Sequence, residues 1–195
     1  DVGLLSPVSV GHDALVGDEA VLDALVAAEV ALVRAYGAVG VAPAAVVEDV
    51  SSALGWQADG HGCFGHGLDA VVLAEASVSG GNPVIPLVGE LKERVPESAR
   101  RWVHRGATSQ DILDSALMLV SDRAGRAILT HLRNVAVELA TFARTHAQAV
   151  GAARTLTQHA VPTTVGLRAA VWLRGVRRAT DRLEAAVTKL PAQLG

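Results

Sequence analysis

The sequence has one cysteine, no long apolar run and no excess of basic residues, and each shortage excludes a class of protein. Because Cys63 is alone, an internal disulfide is impossible. No stretch reaches the roughly 20 consecutive apolar residues that cross a bilayer as a helix, so no membrane span is predicted. The formal net charge of -3 supplies no basic field for nucleic acid. Small anions and other protein subunits are the partners that remain.

The beginning of the sequence also lacks the basic segment, apolar core and cleavage site of a secretory signal, and we therefore expect a cytoplasmic protein. Hydrophobic residues make up 50% of the 195 positions and charged residues only 19%. A chain of this length and composition is expected to fold around a sizeable core. Most of the 17 Lys and Arg residues are Arg, which favours bidentate recognition of carboxylates.

Two long stretches in the second half of the chain are rich in helix formers. Residues 108–150 contain no proline, and only Gly125 interrupts the pattern. Their apolar residues cover more than one face, which predicts a long helix buried among several neighbours. A second long helix, predicted at about residues 164–189, can pack antiparallel to the first. Two such helices cannot bury themselves alone, so we expect a homo-oligomer.

The first half carries shorter helical patterns that glycine and proline separate. The first pattern begins at Asp18. Further helices are predicted at residues 43–54, 68–78 and 87–94. A change in composition near Gly106 indicates an N-terminal helical domain at residues 1–106 and the first part of a long-helix bundle at residues 107–195. We therefore predict an all-α fold.

The most informative stretch is WVHRGATSQDILDSALML, at residues 102–119. Thr108 and Asp111 have the spacing of a capping box, in which hydroxyl and carboxylate accept hydrogen bonds from the first free amides, so a helix should begin near Thr108. The positive end of a helix attracts anions. Most capping boxes only cap, and the spacing leaves that interpretation open. The side chains that could surround a carboxylate here are His104, Arg105, Thr108, Ser109 and Gln110.

A second stretch, ARTLTQHAVPTTVG at residues 153–166, contains polar side chains before the second long helix. Pro162 and Thr163 are predicted to mark the start of that helix, with the polar residues in the preceding loop. The spacing alone favours an ordinary connector between two helices. Its candidate ligand-binding residues are Arg154, Thr155, Gln158 and His159.

Together the two stretches resemble the HxGATSQDxxD and RTxxQxAxPxTxG segments of the fumarase/aspartase superfamily. The resemblance is strongest to the branch of 3-carboxy-cis,cis-muconate cycloisomerases, with adenylosuccinate lyases as neighbours. It extends through GNPVIPLV at residues 81–88 and LLSP at residues 4–7. In that superfamily a long-helix bundle supplies most contacts of a homotetramer, and three subunits build each active site. The resemblance implies the same assembly here, with no metal and no cofactor.

The resemblance also implies roles for individual residues. The pair Thr108 and Ser109, with Gln110 beside it, would bind a carboxylate of a small polycarboxylate substrate. Thr155 and Gln158 would contact the substrate. Arg154 would contribute charge pairing from the second stretch.

The proton donor is not assigned by the resemblance. Many superfamily members have a general-acid histidine directly after the Thr of the second motif, where this chain has Leu156. Leucine cannot transfer a proton, and cycloisomerases commonly have an apolar residue there, so the difference favours that branch. His104 and His159 are the candidate catalytic residues, although each could instead be structural.

The third signature loop of the superfamily, Gly-Ser-Ser-x-Met-Pro-x-Lys-x-Asn with its catalytic serine, does not occur in the 195 residues. We therefore interpret the chain as an N-terminal fragment of a longer protein. The implied reaction interconverts 3-carboxy-cis,cis-muconate and carboxymuconolactone in the breakdown of aromatic acids through protocatechuate. The alternatives are adenylosuccinate lyase, another fumarate-releasing lyase, or a non-catalytic helical assembly module.

Three further groups of residues are expected to be structural. His61, Cys63 and His66 lack a fourth ligand at a recognised spacing and do not predict a metal site. Asp111 and Asp114 lie three residues apart on one helix face, where a structural role is favoured over a catalytic one. Arg105 could pair with a multiply charged acid, but solvation of its side chain is favoured slightly.

Overall fold

The computed structural model describes Val8, residues 10–57 and residues 62–195. Most of the described chain is helical, which confirms the all-α prediction, apart from one two-stranded sheet. A short 3-10 helix at Asp13–Leu15 comes first. The elements that follow are α1 (Asp18–Ala38), α2 (Ala44–Ala53), α3 (Ala70–Ser77), α4 (Val84–Arg94), α5 (Glu97–Arg100), α6 (Ser109–Thr145), β1 (Val150–Thr155), β2 (Gln158–Thr164) and α7 (Val165–Val187).

The chain forms two compact units, Asp1–Ser121 with Pro191–Gly195, and Asp122–Leu190. The first unit thus includes the beginning of α6, and the second includes the rest of that helix with the hairpin and α7. The predicted domains at residues 1–106 and 107–195 stay a prediction for the full-length protein.

The first unit is built around α1. Acidic residues in its first turn suit the positive end of the helix dipole. Side chains on several faces of α1 are almost completely buried, because α2 and α3 pack against it. The core continues into α4, α5 and the start of α6. Its fully buried large aliphatic residues include Leu25, Val30, Val50, Leu54, Leu87 and Leu91.

A β-hairpin connects α6 and α7, where the sequence predicted a loop at residues 151–162. β1 and β2 pair antiparallel, with Val150 opposite Thr164 at the base and Thr155 opposite Gln158 at the tip. α7 begins at Val165, and the Thr164 side chain accepts a hydrogen bond from the Leu167 amide at 3.1 Å. The second long helix, predicted at about residues 164–189, thus begins at the expected place, but Pro162 lies within β2 and not in a loop.

Gly166 permits close packing at the start of α7. A Cβ atom there would lie 2.5 Å from the carbonyl oxygen of Ala143 on α6. Gly166→Ala should therefore lower the free energy of unfolding by about 1–3 kcal/mol, the usual cost of overpacking. Chemical denaturation of the two proteins measures the difference.

Gly175, on the same helix, is the matched control. A Cβ atom at Gly175 meets nothing within 4 Å. Because alanine favours a helix interior over glycine, Gly175→Ala should raise the free energy of unfolding by about 0.5–1 kcal/mol. Equal effects at both positions would contradict the packing argument.

Candidate active site

A turn at residues 101–106 leads from α5 into α6 and carries His104. Two of its residues have left-handed backbone angles, His104 with φ 59° and Gly106 with φ 71°. The Tyr36 hydroxyl donates a hydrogen bond to the carbonyl oxygen of Arg105 at 2.9 Å. A Cβ atom at Gly106 would lie 2.9 Å from that same hydroxyl oxygen, so glycine suits this position for two reasons.

The carboxylate of Glu29, on α1, holds His104 at two points. Its Oε1 lies 2.6 Å from the imidazole Nδ1, and its Oε2 accepts a hydrogen bond from the His104 amide at 3.0 Å. The Glu29 side chain is 1% exposed and the His104 side chain 20% exposed. Burial raises the pKa of the Glu29 carboxyl above its ordinary value, and the hydrogen bonds and charge of His104 partly oppose this shift.

The predicted capping box forms with a different hydrogen-bond pattern. Asp111 Oδ2 accepts hydrogen bonds from the Thr108 amide at 2.7 Å and from the Thr108 hydroxyl at 3.1 Å. The amide hydrogen bond is the largest of the causes that lower the pKa of the Asp111 carboxyl below its ordinary value. The Thr108 hydroxyl therefore donates to Asp111, whereas the sequence predicted that it would accept from a helix amide.

This pattern separates the roles of the two hydroxyls at the start of α6. The Thr108 hydroxyl donates its hydrogen to Asp111, so with any other partner it can only accept a hydrogen bond. The half-buried Ser109 makes no side-chain hydrogen bond within the described part of the chain, and its hydroxyl can donate to an anion. Gln110 is exposed and donates one amide hydrogen to Asp114 at 2.6 Å.

Arg105 is exposed on the outer side of the same turn. Its guanidinium carbon lies 4.6 Å from the ring centroid of Trp102, a cation–π distance. Arg101 stacks on the same indole at 5.4 Å. Both cations stay accessible to solvent.

The residues of the second motif lie together at the tip of the hairpin, in the other compact unit. Arg154 pairs with His159, and Thr155 with Gln158, across the two strands. All four side chains are exposed, and they line an open depression of about 530 Å³ together with Thr157. The sequence predicted that they lie in a loop directly before α7, whereas the hairpin places them at its tip, at the opposite end from the Val150 and Thr164 pair that precedes α7. Leu156, at the turn, is 85% exposed.

Sequence reasoning missed Glu29 altogether. The available signal was a single acid inside the apolar string LVAAEVALV at residues 25–33. A carboxylate inside an apolar face is rarely buried without a partner. The partner, His104, could not be named because it lies 75 residues away along the chain.

Two of the three weak metal-site candidates can be placed. His66 lies 2.9 Å from Asp23 Oδ1, and Cys63 is buried. His61 lies outside the described residues. No group of three His, Cys, Asp or Glu side chains is arranged to hold a metal ion within the described ranges. In that same part of the chain, no helix is both long and apolar enough to span a membrane.

A sequence model of a protein family described as lyase matches residues 18–194. The chain belongs to this lyase family. The chain is 46% identical over 204 residues to nitrosuccinate lyase from Streptomyces davaonensis, an alignment that covers 100% of this chain and 40% of that protein. It is also 38% identical over 185 residues to 3-carboxy-cis,cis-muconate cycloisomerase from Bradyrhizobium diazoefficiens, covering 92% and 39%.

A solved structure gives the same result for the fold. The chain matches β-carboxy-cis,cis-muconate cycloisomerase from Acinetobacter calcoaceticus with a TM-score of 0.78 and 37% identity, over 92% of this chain and 41% of that chain. The predicted resemblance to the cycloisomerase branch is thereby confirmed. The chain spans about 40% of the length of these two curated relatives.

Proposed function

We propose that the full-length protein catalyses a reversible addition or elimination at the carbons beside a carboxylate of a small polycarboxylate. The observation that carries this proposal is the start of α6. There, an imidazole held by a buried carboxylate precedes the N-terminus of a 37-residue helix whose first hydroxyl, Ser109, is available as a donor. Backbone amides and hydroxyls at a helix start stabilise negative charge.

The first candidate reaction is the interconversion of 3-carboxy-cis,cis-muconate and carboxymuconolactone. In the lactonising direction, a substrate carboxylate oxygen adds to a conjugated double bond and the neighbouring carbon gains a proton. Negative charge accumulates on the carboxylate beside that carbon before protonation. Fixed donors such as Ser109, and Thr155 and Gln158 in the second motif, would stabilise this charge, and His104 or His159 would transfer the proton.

The second candidate is elimination of nitrite from nitrosuccinate. Its support is the 46% identity to a nitrosuccinate lyase along the whole chain. Removal of a proton beside one carboxylate and of nitrite from the next carbon would leave fumarate. The charge on the carboxylate is the same as in the cycloisomerase reaction, so one set of donors suits both. Adenylosuccinate cleavage is disfavoured because Leu156 replaces the general-acid histidine.

A panel of substrates tests the proposal. Purified full-length protein is given carboxymuconate, nitrosuccinate, adenylosuccinate and argininosuccinate in separate assays. Loss of diene absorbance reports cycloisomerisation, whereas release of nitrite together with fumarate absorbance reports nitrosuccinate cleavage. We expect turnover of the first or the second substrate. A folded protein that is inactive on all four would favour the helical assembly module.

We also propose that the full-length protein is a homo-oligomer, a tetramer by the resemblance. The second unit exposes large apolar side chains on both of its helices, among them Val135, Phe142 and Trp172, which are 45%, 45% and 57% exposed. Large apolar side chains exposed on both helices favour a subunit interface. The cytoplasmic location stays a prediction.

Trp172 gives this assembly proposal a test. Because tryptophan often dominates interface energy, Trp172→Glu in the full-length protein should shift sedimentation toward smaller species. Val78, 82% exposed at the end of α3, supplies the control, and Val78→Glu should leave the assembly unchanged. A wild-type protein that sediments as a monomer at micromolar concentration would overturn the proposal.

A further inference from the structure

Glu29 is a carboxylate on the buried side of a core helix, with 1% of its surface exposed. Its buried neighbours along α1 are aliphatic: Leu25, Val26, Val30 and Val33. An apolar side chain at this position would stabilise the fold about as well, because the cost of desolvating a buried ion pair commonly offsets the attraction between its charges. The carboxylate therefore needs an explanation other than stability.

The explanation lies in how both oxygens of Glu29 are used. One accepts from the backbone amide of His104, which stabilises the left-handed φ of 59° at that residue. The other faces Nδ1 at 2.6 Å, and because an ionised carboxylate only accepts hydrogen bonds, Nδ1 carries the hydrogen of this contact when Glu29 is ionised. Lys92 and Asp111 are the other charged groups that act on this pair.

The second ring nitrogen of His104 is left available. Within the described part of the chain Nε2 has no hydrogen-bond partner, and it is not among the buried atoms that lack one. A ring that is held through Nδ1 gains and loses its proton at Nε2.

We infer that Glu29 is the positioning residue of His104, fixing the ring and keeping a hydrogen on Nδ1 so that Nε2 exchanges the proton with the substrate. This inference rests on the proposed function, in which His104 acts on the substrate. It adds a residue on α1 that neither motif contains. The effect on chemistry is indirect, because Glu29 itself is buried and, among the described residues, its carboxylate forms hydrogen bonds with His104 alone.

A second histidine–carboxylate pair, whose carboxylate Asp23 also lies on α1, provides an internal control. His66 Nε2 lies 2.9 Å from Asp23 Oδ1, and His66 Nδ1 accepts from the Leu68 amide at 3.2 Å. Both ring nitrogens are thus occupied, and the His66 side chain is only 5% exposed. This pair is structural, with no nitrogen left for a substrate.

Glu29→Gln in the full-length enzyme separates positioning from packing, since the two side chains have nearly the same shape. The Gln carbonyl can still accept from the His104 amide, but its NH₂ group then faces Nδ1. The neutral ring must place its lone pair on Nδ1 and its hydrogen on Nε2. We expect kcat to fall about 10- to 100-fold with a smaller change in KM, the size of loss seen when the group that orients a metal-bound histidine is replaced.

Labelling with diethyl pyrocarbonate gives a readout that needs no substrate. The reagent modifies the unprotonated ring nitrogen, and mass spectrometry reports the rate at His104. Labelling of His104 should be lost in Glu29→Gln and kept in Glu29→Asp, because aspartate retains a carboxylate. Asp23→Asn should change neither the labelling of His104 nor kcat. Thermal unfolding verifies that each variant is folded. If Glu29→Gln does not fold, Glu29→Asp carries the test, and loss of His104 labelling in a folded Glu29→Asp overturns the inference.

The outcomes are distinguishable from failure of the proposed function. Lost labelling with lowered kcat supports the inference. Unchanged labelling in a folded Glu29→Gln overturns it, whatever the activity, because the carboxylate would then not set the hydrogen position. Lost labelling with unchanged kcat also overturns it, and shows that His104 does not act on the substrate even though Glu29 orients it.

Discussion

Replacement of Ser109 by alanine in the full-length protein should lower kcat by about 10²- to 10³-fold, the usual effect of removing one donor to a developing negative charge. Ser109 is the first residue of α6, and its hydroxyl is available because the neighbouring Thr108 hydroxyl donates to Asp111. The start of the helix is stabilised by the Asp111 carboxylate. Ser109→Ala should therefore change the free energy of unfolding by less than about 0.5 kcal/mol.

Ser121→Ala is the matched control for this variant. Ser121 is also a serine on α6, but its side chain is exposed. It lies about three turns after Ser109, at about 3.6 residues per turn. Its replacement should leave both kcat and stability near the wild-type values. Steady-state kinetics and denaturation on the three proteins decide the matter. Near-normal turnover in Ser109→Ala would remove Ser109 from the site.

The sequence predicted those features that depend on nearby residues. The helix start at Asp18 was expected from a change in local pattern, and α1 begins there. The start of α6 was expected near Thr108, and the helix begins at Ser109. Capping and periodicity act within a few residues, so the sequence itself contains the information needed for such elements.

The hairpin between the long helices was missed because its turn lacks the usual signal. Two-residue hairpin turns favour Asn-Gly or another glycine pair, since these residues adopt left-handed angles easily. This turn is Leu156-Thr157, with Thr157 at φ 63°. The pairing of β1 with β2 also places Pro162 within a strand, three residues before α7 begins at Val165.

The contact between Glu29 and His104 was beyond local reasoning for a different reason. Its partners are 75 residues apart and meet only when α1 packs beside the turn before α6. The direction of the Thr108 hydroxyl bond was also undetermined, because a hydroxyl can donate as well as accept. In both cases the residue types were visible in the sequence, but their partners depended on the fold.

The chain of 195 residues should have no significant turnover when tested alone, even though it folds. It spans about 40% of the curated relatives, and the superfamily's serine loop has no counterpart in its sequence. The described site residues support this expectation. Arg154, Thr155, Gln158 and His159 are exposed to water, where hydrogen bonds to a substrate compete with solvent.

Carboxylate binding by the two motifs could persist in this chain, but binding the substrate and the transition state equally does not accelerate the chemical step. Loss of a positioned acid or base alone costs about 10²- to 10⁴-fold in rate. We therefore expect the short chain to be slower than the full-length protein by at least that factor on whichever substrate the panel identifies. Circular dichroism verifies that the short chain is helical. Equal turnover by the two proteins would place the whole chemistry within residues 1–195 and contradict the need for a further catalytic loop.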